Sequence, residues 1–240
     1  MTIGFSHRLR ISVALLGLSF SAAFAGRLVA QNPEVQQKVA EIKESIAANK
    51  QALAQYTWVE QDTISLKGEE KKQEHFQVRL GADGKPVKTP LDAQAAPAPS
   101  GGRLKQHIVE KKKEEYKDYA EQIRALIQQY FPLDKDKIEA ARQAGNVSLS
   151  TAAGGPGQYQ LVISNYLKQG DKVTLVFDRG QKAIARVSIA SYLDDPKDAV
   201  TVDSVFSRIP GGPNHVSSQT INGVSKQLTI AVQNSNYQKL

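Results

Sequence analysis

The stretch that decides the fold is QYQLVISNYLKQGDKVTLVFD, residues 158–178, in which two runs of alternating apolar residues flank a turn. After the turn, large apolar side chains recur at every second position, at Val173, Leu175 and Phe177. This is the period of a strand that buries one face. The intervening glycine and aspartate are typical turn residues, so two neighbouring antiparallel strands are predicted.

The same alternation predicts further strands on both sides of this hairpin. Toward the C-terminus, strands are predicted over residues 183–193, 200–206, 215–221 and 224–232, with Asn222-Gly223 as the hairpin turn before the last one. Toward the N-terminus, residues 56–66 and 76–80 alternate, and Asp83-Gly84 predicts a turn into residues 86–88.

Three segments have the three- and four-residue spacing of helices. Residues 33–55 follow Asn32, a favourable N-cap, and begin with a proline at the first helical position. Residues 103–130 are densely charged in their first half and carry an apolar stripe only in their second half. A shorter helix is predicted over residues 134–144.

These elements predict an α+β fold: a curved, half-barrel-like antiparallel sheet with an N-terminal helix and a helical insertion packed on it. We expect residues 31–240 to form a single domain. Within it, residues 92–102 are rich in Ala, Pro and Gly and predict a flexible linker, and residues 103–145 form the helical insertion.

The first thirty residues have the pattern of a secretory signal peptide. Arg8 and Arg10 precede a 16-residue uncharged run, which is shorter than the roughly 20 apolar residues of a membrane-spanning helix. Small residues predict cleavage near Ala25 or near Ala30. We therefore expect the mature chain in the periplasm or secreted.

Composition narrows the class of protein further. The chain has no cysteine, so an exported form is held together by core packing and not by disulfides. Loss of Arg8, Arg10 and Arg27 with the signal peptide lowers the formal charge from +7 to +4. The remaining basic residues form no cluster interleaved with aromatics, so a nucleic-acid partner is not predicted.

The order of elements resembles the LolA-like family of periplasmic proteins that carry lipoproteins or lipids. The similar stretches are residues 56–60 after an N-terminal helix, residues 76–84, residues 170–178 and residues 183–187. The resemblance implies an open half-barrel whose concave face is covered by helices, with an apolar groove between sheet and helices. Candidates to line such a groove are Trp58, Phe76, Val78, Leu175, Phe177, Val187 and Phe206. The alternative is that these side chains fill a plain core, because periodicity does not distinguish a cavity from a packed interior.

The sequence contains no recognisable catalytic arrangement, so we expect no enzyme, no cofactor and no metal site. The three histidines of the mature chain, His75, His107 and His215, lack metal-ligand spacing and are expected to be solvated. Four aspartates over residues 194–203 do not match a calcium loop. Glu60 and Asp62 share one strand face, and we expect this carboxylate pair to be solvated at the rim of the sheet.

Two functions follow from these observations. The first is an exported envelope protein that binds an apolar ligand or lipid between sheet and helices. The alternative is a chaperone-like or structural envelope protein that contacts another envelope protein through the charged helix over residues 103–131. The sequence leaves the oligomeric state open.

Overall fold

The computed structural model describes residues 48–82, 84–91, 103–131, 133–151 and 157–240, which form an open, curved ten-stranded antiparallel sheet with helices. The strands are β1 (Tyr56–Leu66), β2 (Glu69–Leu80), β3 (Pro86–Pro90), β4 (Val147–Thr151), β5 (Gln158–Ser164), β6 (Lys172–Asp178), β7 (Ala183–Tyr192), β8 (Ala199–Arg208), β9 (Asn214–Gly223) and β10 (Leu228–Lys239). The helices are α1 (Arg103–Gln128) and α2 (Lys135–Gln143), and residues 48–53 are also helical. The predicted α+β class is confirmed.

Parts of three predictions lie outside the described residues. These are the signal peptide over residues 1–30, the linker over residues 92–102 and the N-terminal helix before residue 48. The described end of that helix is helical up to Leu53.

The first strand, β1, occupies the third position from one edge of the sheet, and the chain crosses the sheet once. The spatial order is β3-β2-β1-β10-β9-β8-β7-β6-β5-β4, so β1 to β3 run to one edge and β4 to β10 return from the other. The helices lie in the connection between the two edge strands. A helix of the length of α1 spans about 39 Å, and ten flat strands span about 43 Å. The predicted helical insertion, residues 103–145, therefore belongs to the connection between the two edge strands and is long enough to span the sheet.

A single row of β-branched side chains crosses eight of the ten strands. Each member of the row is the cross-strand partner of the next one. In order across the sheet they are Ile64, Ile230, Ile221, Val202, Ile189, Val173, Ile163 and Val147. All are buried except the half-buried Val147 at the edge. Such side chains pack well on a pleated surface, and this row forms the floor of the main core.

Helix α1 covers this floor across the strands. Its stripe of Tyr119, Ile123 and Leu126 is buried in the main core, as the apolar second half predicts. The Tyr119 hydroxyl donates a hydrogen bond to Asp198 Oδ1 (2.6 Å) in the β7–β8 turn. Lys226, in the β9–β10 turn, lies 3.6 Å from a Glu115 carboxylate oxygen. The helix thus runs from the β9–β10 turn toward β7, roughly perpendicular to the strands.

A buried hydrogen-bond network holds the C-terminal end of α1. The hydroxyl of Tyr130, just after the helix, lies 2.6 Å from Asp171 Oδ2 and 2.7 Å from Ser191 Oγ. The Asp171 carboxylate also accepts hydrogen bonds from the backbone N–H groups of residues 166, 167 and 168. Its predicted role as a turn residue is confirmed, and the same side chain also fixes the helix.

Two local predictions are corrected by the structure. Asn222-Gly223 is not the hairpin turn, because β9 continues to Gly223 and the turn follows over residues 224–227. Strand β4 was not predicted; it is a short, mostly exposed edge strand in which Val147 and Leu149 alternate with serines. The helix predicted over residues 134–144 is observed as α2, with Asp134 as its N-cap.

Gly223 is a glycine because α1 approaches the sheet closely. A Cβ atom there would lie 2.5 Å from Ile123 Cδ1 and 2.6 Å from Tyr119 Cε1. We expect Gly223→Ala to lower the free energy of unfolding by about 1–3 kcal/mol, because overpacking forces the helix to shift. Urea denaturation measures this. The control is Gly180→Ala, whose new Cβ meets only Asp178 Oδ1 at 3.4 Å; equal stability of the two variants would contradict this account of the packing.

Candidate functional site

Strand β1 turns a mixed set of side chains toward the covered face of the sheet. Its alternation buries Trp58, Glu60, Asp62, Ile64 and Leu66 in succession. Ile64 and Leu66 join the main core, whereas Trp58 belongs to a separate apolar cluster. The two carboxylates therefore lie between two apolar regions on one face.

The prediction that Glu60 and Asp62 are solvated is wrong. Glu60 is 1% exposed and Asp62 is 9% exposed. The sequence placed them at a rim, but β1 is an interior strand, between β2 and β10. Burial of two neighbouring carboxylates is costly unless a cation or hydrogen-bond donors accompany them.

The accompanying cation is Lys88, which reaches the pair from the edge strand β3. Its Nζ lies 3.2 Å from Asp62 Oδ2 and forms an ion pair with Glu60 Oε1. The same ammonium lies 5.2 Å from the centroid of the Phe76 ring. Two carboxylates and one aromatic face thus surround an ammonium group, which is a recurrent arrangement for binding organic cations.

The pKa values of the acidic pair, Glu60 and Asp62, respond to this burial. Desolvation, and next the negative charge of Asp62, raise the pKa of Glu60 to about 7 from 4.5. Desolvation also raises the pKa of Asp62, although Lys88 opposes the shift. Because the two acids share one cation, Glu60 is only partly ionised near neutral pH.

An aromatic cluster, which we define as Trp58, Phe76, Val78, Leu80 and Tyr237, adjoins the acidic pair. Trp58, Phe76 and Val78 are buried, and Leu80 and Tyr237 pack against them. The Trp58 and Tyr237 rings are stacked with centroids 5.6 Å apart. Burial raises the pKa of Tyr237, and the adjacent Glu60 adds to the shift.

His215 extends the aromatic cluster, and its predicted solvation is wrong. The side chain is 7% exposed, and its ring centroid lies 4.0 Å from that of Tyr237. Its Nε2 lies 3.1 Å from Ser207 Oγ. Burial lowers the pKa of His215, so the imidazole is neutral at neutral pH. The sequence carried no signal for this, because the loop before β9 decides what the residue packs against.

Polar atoms without hydrogen-bond partners concentrate around this cluster. Among the described residues, the buried atoms without one are Trp58 Nε1, Glu60 Oε1, Asp62 Oδ1, His215 Nδ1, Gln219 Oε1, Asn234 Oδ1 and, away on α1, Arg124 Nε. Of these, Glu60 Oε1 is engaged in the ion pair with Lys88. Native proteins pair nearly all buried polar groups, so this concentration calls for an explanation such as a ligand or ordered water.

The register explains why the polar atoms fall together. Asp62 pairs with Val232, which pairs with Gln219, which pairs with Ser204. Continued toward β4, the same row becomes apolar through Val187, Leu175, Leu161 and Leu149. The covered face is therefore polar across β1, β9 and β8 and apolar beyond them.

The seven residues predicted to line a groove fall into two groups. Trp58, Phe76 and Val78 lie in the aromatic cluster. The other four lie in the main core: Leu175, Phe177 and Val187 are buried there, and Phe206 is half-buried against it. The polar residues of the site, Glu60, Asp62, Gln219 and Asn234, were not identified as site residues from sequence, although the parity of β1 placed the two acids beside Trp58.

In the part of the chain that the structure describes, no three His, Cys, Asp or Glu side chains are grouped to hold a metal ion. Two of the four aspartates considered for calcium are bound by side chains of the protein. Asp198 accepts from Tyr119, and Asp203 is bound by Arg186 and by Ser188. In the same ranges, no helix combines the length and apolar character needed to cross a membrane.

Comparison with known proteins gives likenesses of fold at low identity. No protein-family profile matches the chain, and no curated protein matches it. Among solved structures, it is similar to a DUF1329 family protein from Desulfovibrio piger, at 12% identity and a TM-score of 0.40 over 84% of this chain and 92% of that one. It is also similar to a LolA superfamily protein from Nitrosomonas europaea, at 8% identity and a TM-score of 0.36 over 85% and 93%.

A third likeness is to the Pseudomonas aeruginosa MucA/MucB complex, at 8% identity and a TM-score of 0.20 over 86% of this chain and 99% of that one. The resemblance to LolA-like proteins stated from the sequence is thus matched by a structural neighbour.

We expect the contribution of Glu60 to the stability of the protein to fall as the pH rises from about 5 to 8. The native state keeps a proton on Glu60 up to pH about 7, whereas the unfolded chain releases it near 4.5, so folding takes up a proton in this window. Glu60→Gln removes the effect. Its free energy of unfolding should exceed that of the wild type at pH 8 by on the order of 1–3 kcal/mol, and the difference should vanish near pH 5.

Urea denaturation at pH 5, 6, 7 and 8 tests this prediction. The control Glu114→Gln, at an exposed position on α1, should keep the wild-type dependence on pH. A Glu60→Gln profile parallel to that of the wild type would contradict the assigned protonation of the acidic pair.

Proposed function

We propose that the protein is an exported binding protein that holds an apolar or amphiphilic ligand on the covered face of its sheet, at the aromatic cluster. The observation that carries the proposal is the presence of two apolar regions on one sheet face. Among the described residues, α1 packs on the larger region, whereas the smaller one is buried apart from α1. The smaller one is bordered by buried polar atoms without partners among the described residues.

The two regions differ in how completely protein groups supply hydrogen-bond partners for their buried polar atoms. In the main core, α1 side chains pack against the β-branched row. The buried Asp171 carboxylate there accepts four hydrogen bonds, one from the Tyr130 hydroxyl and three from the backbone N–H groups of residues 166, 167 and 168. Around Trp58, by contrast, the indole N–H and several oxygen atoms lack partners. A ligand that supplies both apolar surface and hydrogen-bonding groups would complete this region.

Apolar contact supplies the free energy for such binding. Each methylene removed from water contributes about 0.8 kcal/mol, so an alkyl chain of eight to ten carbons gains several kcal/mol at an apolar surface. The aromatic cluster contains one indole, one phenyl and one phenol ring for that contact, and because Trp58 and Phe76 are buried, the ligand reaches them when the chain that covers them moves. Trp58, Phe76 and Val78 are the proposed ligand-binding residues, and Leu175, Phe177, Val187 and Phe206 support the sheet beneath α1.

The alternative of an interaction protein that uses the charged part of α1 stays a prediction. The described residues of that part, 110–118, are mostly exposed, with Tyr116 packed against the core. A solvated helix face accounts for this exposure without a partner.

The single tryptophan makes the first test direct, because Trp58 lies in the proposed site. We expect the apolar probe N-phenyl-1-naphthylamine to bind and to accept excitation energy from Trp58. Val78→Thr should weaken this binding about 5- to 30-fold, because a hydroxyl replaces a methyl group at the apolar contact. Fluorescence titration, with circular dichroism to verify folding, measures the change.

The matched control is Val173→Thr. Both valines are fully buried on the same sheet face, but Val173 lies in the main core. It should therefore lower stability without changing probe affinity. Absence of probe binding to the wild type, or an equal loss in both variants, would refute the proposed site.

Export is tested by the mass of the processed chain. When the full sequence is expressed in a bacterial host, we expect the envelope fraction to contain a chain that begins at Gly26 or Gln31. Ala25→Arg and Ala30→Arg distinguish the two sites, because each blocks the small-residue requirement of one of them. A cytoplasmic chain of full mass would contradict the proposed export.

A further inference from the structure

We infer that the ligand of this site carries a primary ammonium group, which binds to the oxygen atoms of Asp62, Gln219 and Asn234 while its apolar part contacts the aromatic cluster. This inference rests on the proposed function and specifies the chemistry of its ligand.

The polar side chains of the site lie close together on one face of the sheet. Asn234 lies directly opposite Glu60 on β10, and Gln219 lies on β9 in the row of Asp62, separated from it only by Val232. Neighbouring strands are about 4.8 Å apart, so these four side chains fall within a patch about 10 Å wide on one face. Asp62 Oδ1, Gln219 Oε1 and Asn234 Oδ1 are all buried and lack hydrogen-bond partners among the described residues.

The orientation of the amide groups makes the patch a set of acceptors. Asn234 Nδ2 donates to the backbone oxygen of Val216 (2.9 Å), and that oxygen can only accept, so Asn234 presents its own oxygen to the site. Gln219 Nε2 donates to Ser204 Oγ (2.7 Å) in the neighbouring strand. Gln219 is 4% exposed, so water from the surface does not readily reach its remaining oxygen.

Three acceptors without donors match a group that has several N–H donors and no acceptor. A primary ammonium has three donors and a positive charge, which the excess of two carboxylates over one lysine favours. An anionic head group would meet the acidic pair and acceptor oxygens, and it would be repelled. A neutral hydroxyl would satisfy one acceptor and leave the others unpaired.

Lys88 shows that an ammonium group can be bound beside the acidic pair. The chain's own ammonium lies between Glu60 and Asp62 and over the Phe76 ring. It is carried by β3, a five-residue edge strand that pairs only with β2. Edge strands open locally at lower cost than interior ones, so displacement of β3 provides an entry to the acidic pair.

Two probes of equal chain length test the inference: decylammonium, which carries the cation, and 1-decanol, which does not. Both are titrated below their aggregation limits, and binding is followed by Trp58 fluorescence. We expect the wild type to bind decylammonium at least tenfold more tightly than decanol. Decanoate should bind more weakly than either.

Two variants report on the acidic pair. Asp62→Asn should abolish the preference for decylammonium over decanol, because it removes a carboxylate charge from the site. Lys88→Met should increase the affinity for decylammonium, because the acidic pair then lacks its internal cation. The control Asp118→Asn, at an exposed position on α1, removes the same charge without changing either affinity.

The outcomes separate the two proposals. Equal binding of decylammonium and decanol overturns the ammonium inference and leaves the apolar site in place; ordered water would then account for the acceptor oxygens. Failure of all three probes to bind overturns the proposed function itself. A preference for decylammonium that survives in Asp62→Asn places the cation elsewhere and also overturns the inference.

Discussion

The covering of one sheet face by α1 is the constraint on which the rest of the structure depends. The chain leaves the sheet at β3 and returns at the opposite edge, β4, so the connection must cross the strands. Gly223 lets the helix approach, and the network of Tyr130, Asp171 and Ser191 fixes its far end. Because α1 occupies the region above the β-branched row, the apolar surface at Trp58 forms a separate cluster.

Between these two regions the covered face changes from apolar to polar within two residues along β1 and along β9. Moving from Ile64 to Asp62 on β1, or from Ile221 to Gln219 on β9, exchanges an apolar side chain for a polar one at the same depth. A fold under selection for stability alone is better served by apolar side chains at such positions, because buried ion pairs rarely contribute net stability. The burial of Glu60, Asp62 and Lys88 in the interior therefore supports the proposed binding role.

The sequence predicted the secondary structure well where periodicity and turn chemistry agreed. The alternation of Val173, Leu175 and Phe177 and the stripe of Tyr119, Ile123 and Leu126 were interpreted correctly, since each period follows from backbone geometry. The sequence missed β4, an exposed edge strand, and assigned Gly223 to a turn when the residue makes room for a helix. Local propensity describes what a glycine permits, whereas only the packing shows which neighbour requires it.

By itself, then, the sequence determined the strand and helix periods, the antiparallel class and the parity that places Glu60 and Asp62 beside Trp58. The tertiary structure decided that β1 lies between β2 and β10, which converts a carboxylate pair expected at the rim into a buried one. It also brought Gln219, Asn234 and His215 to the same site from more than 150 residues away in the chain. The physical reason is that burial and pairing depend on which strands become neighbours, and that depends on contacts between residues far apart in sequence.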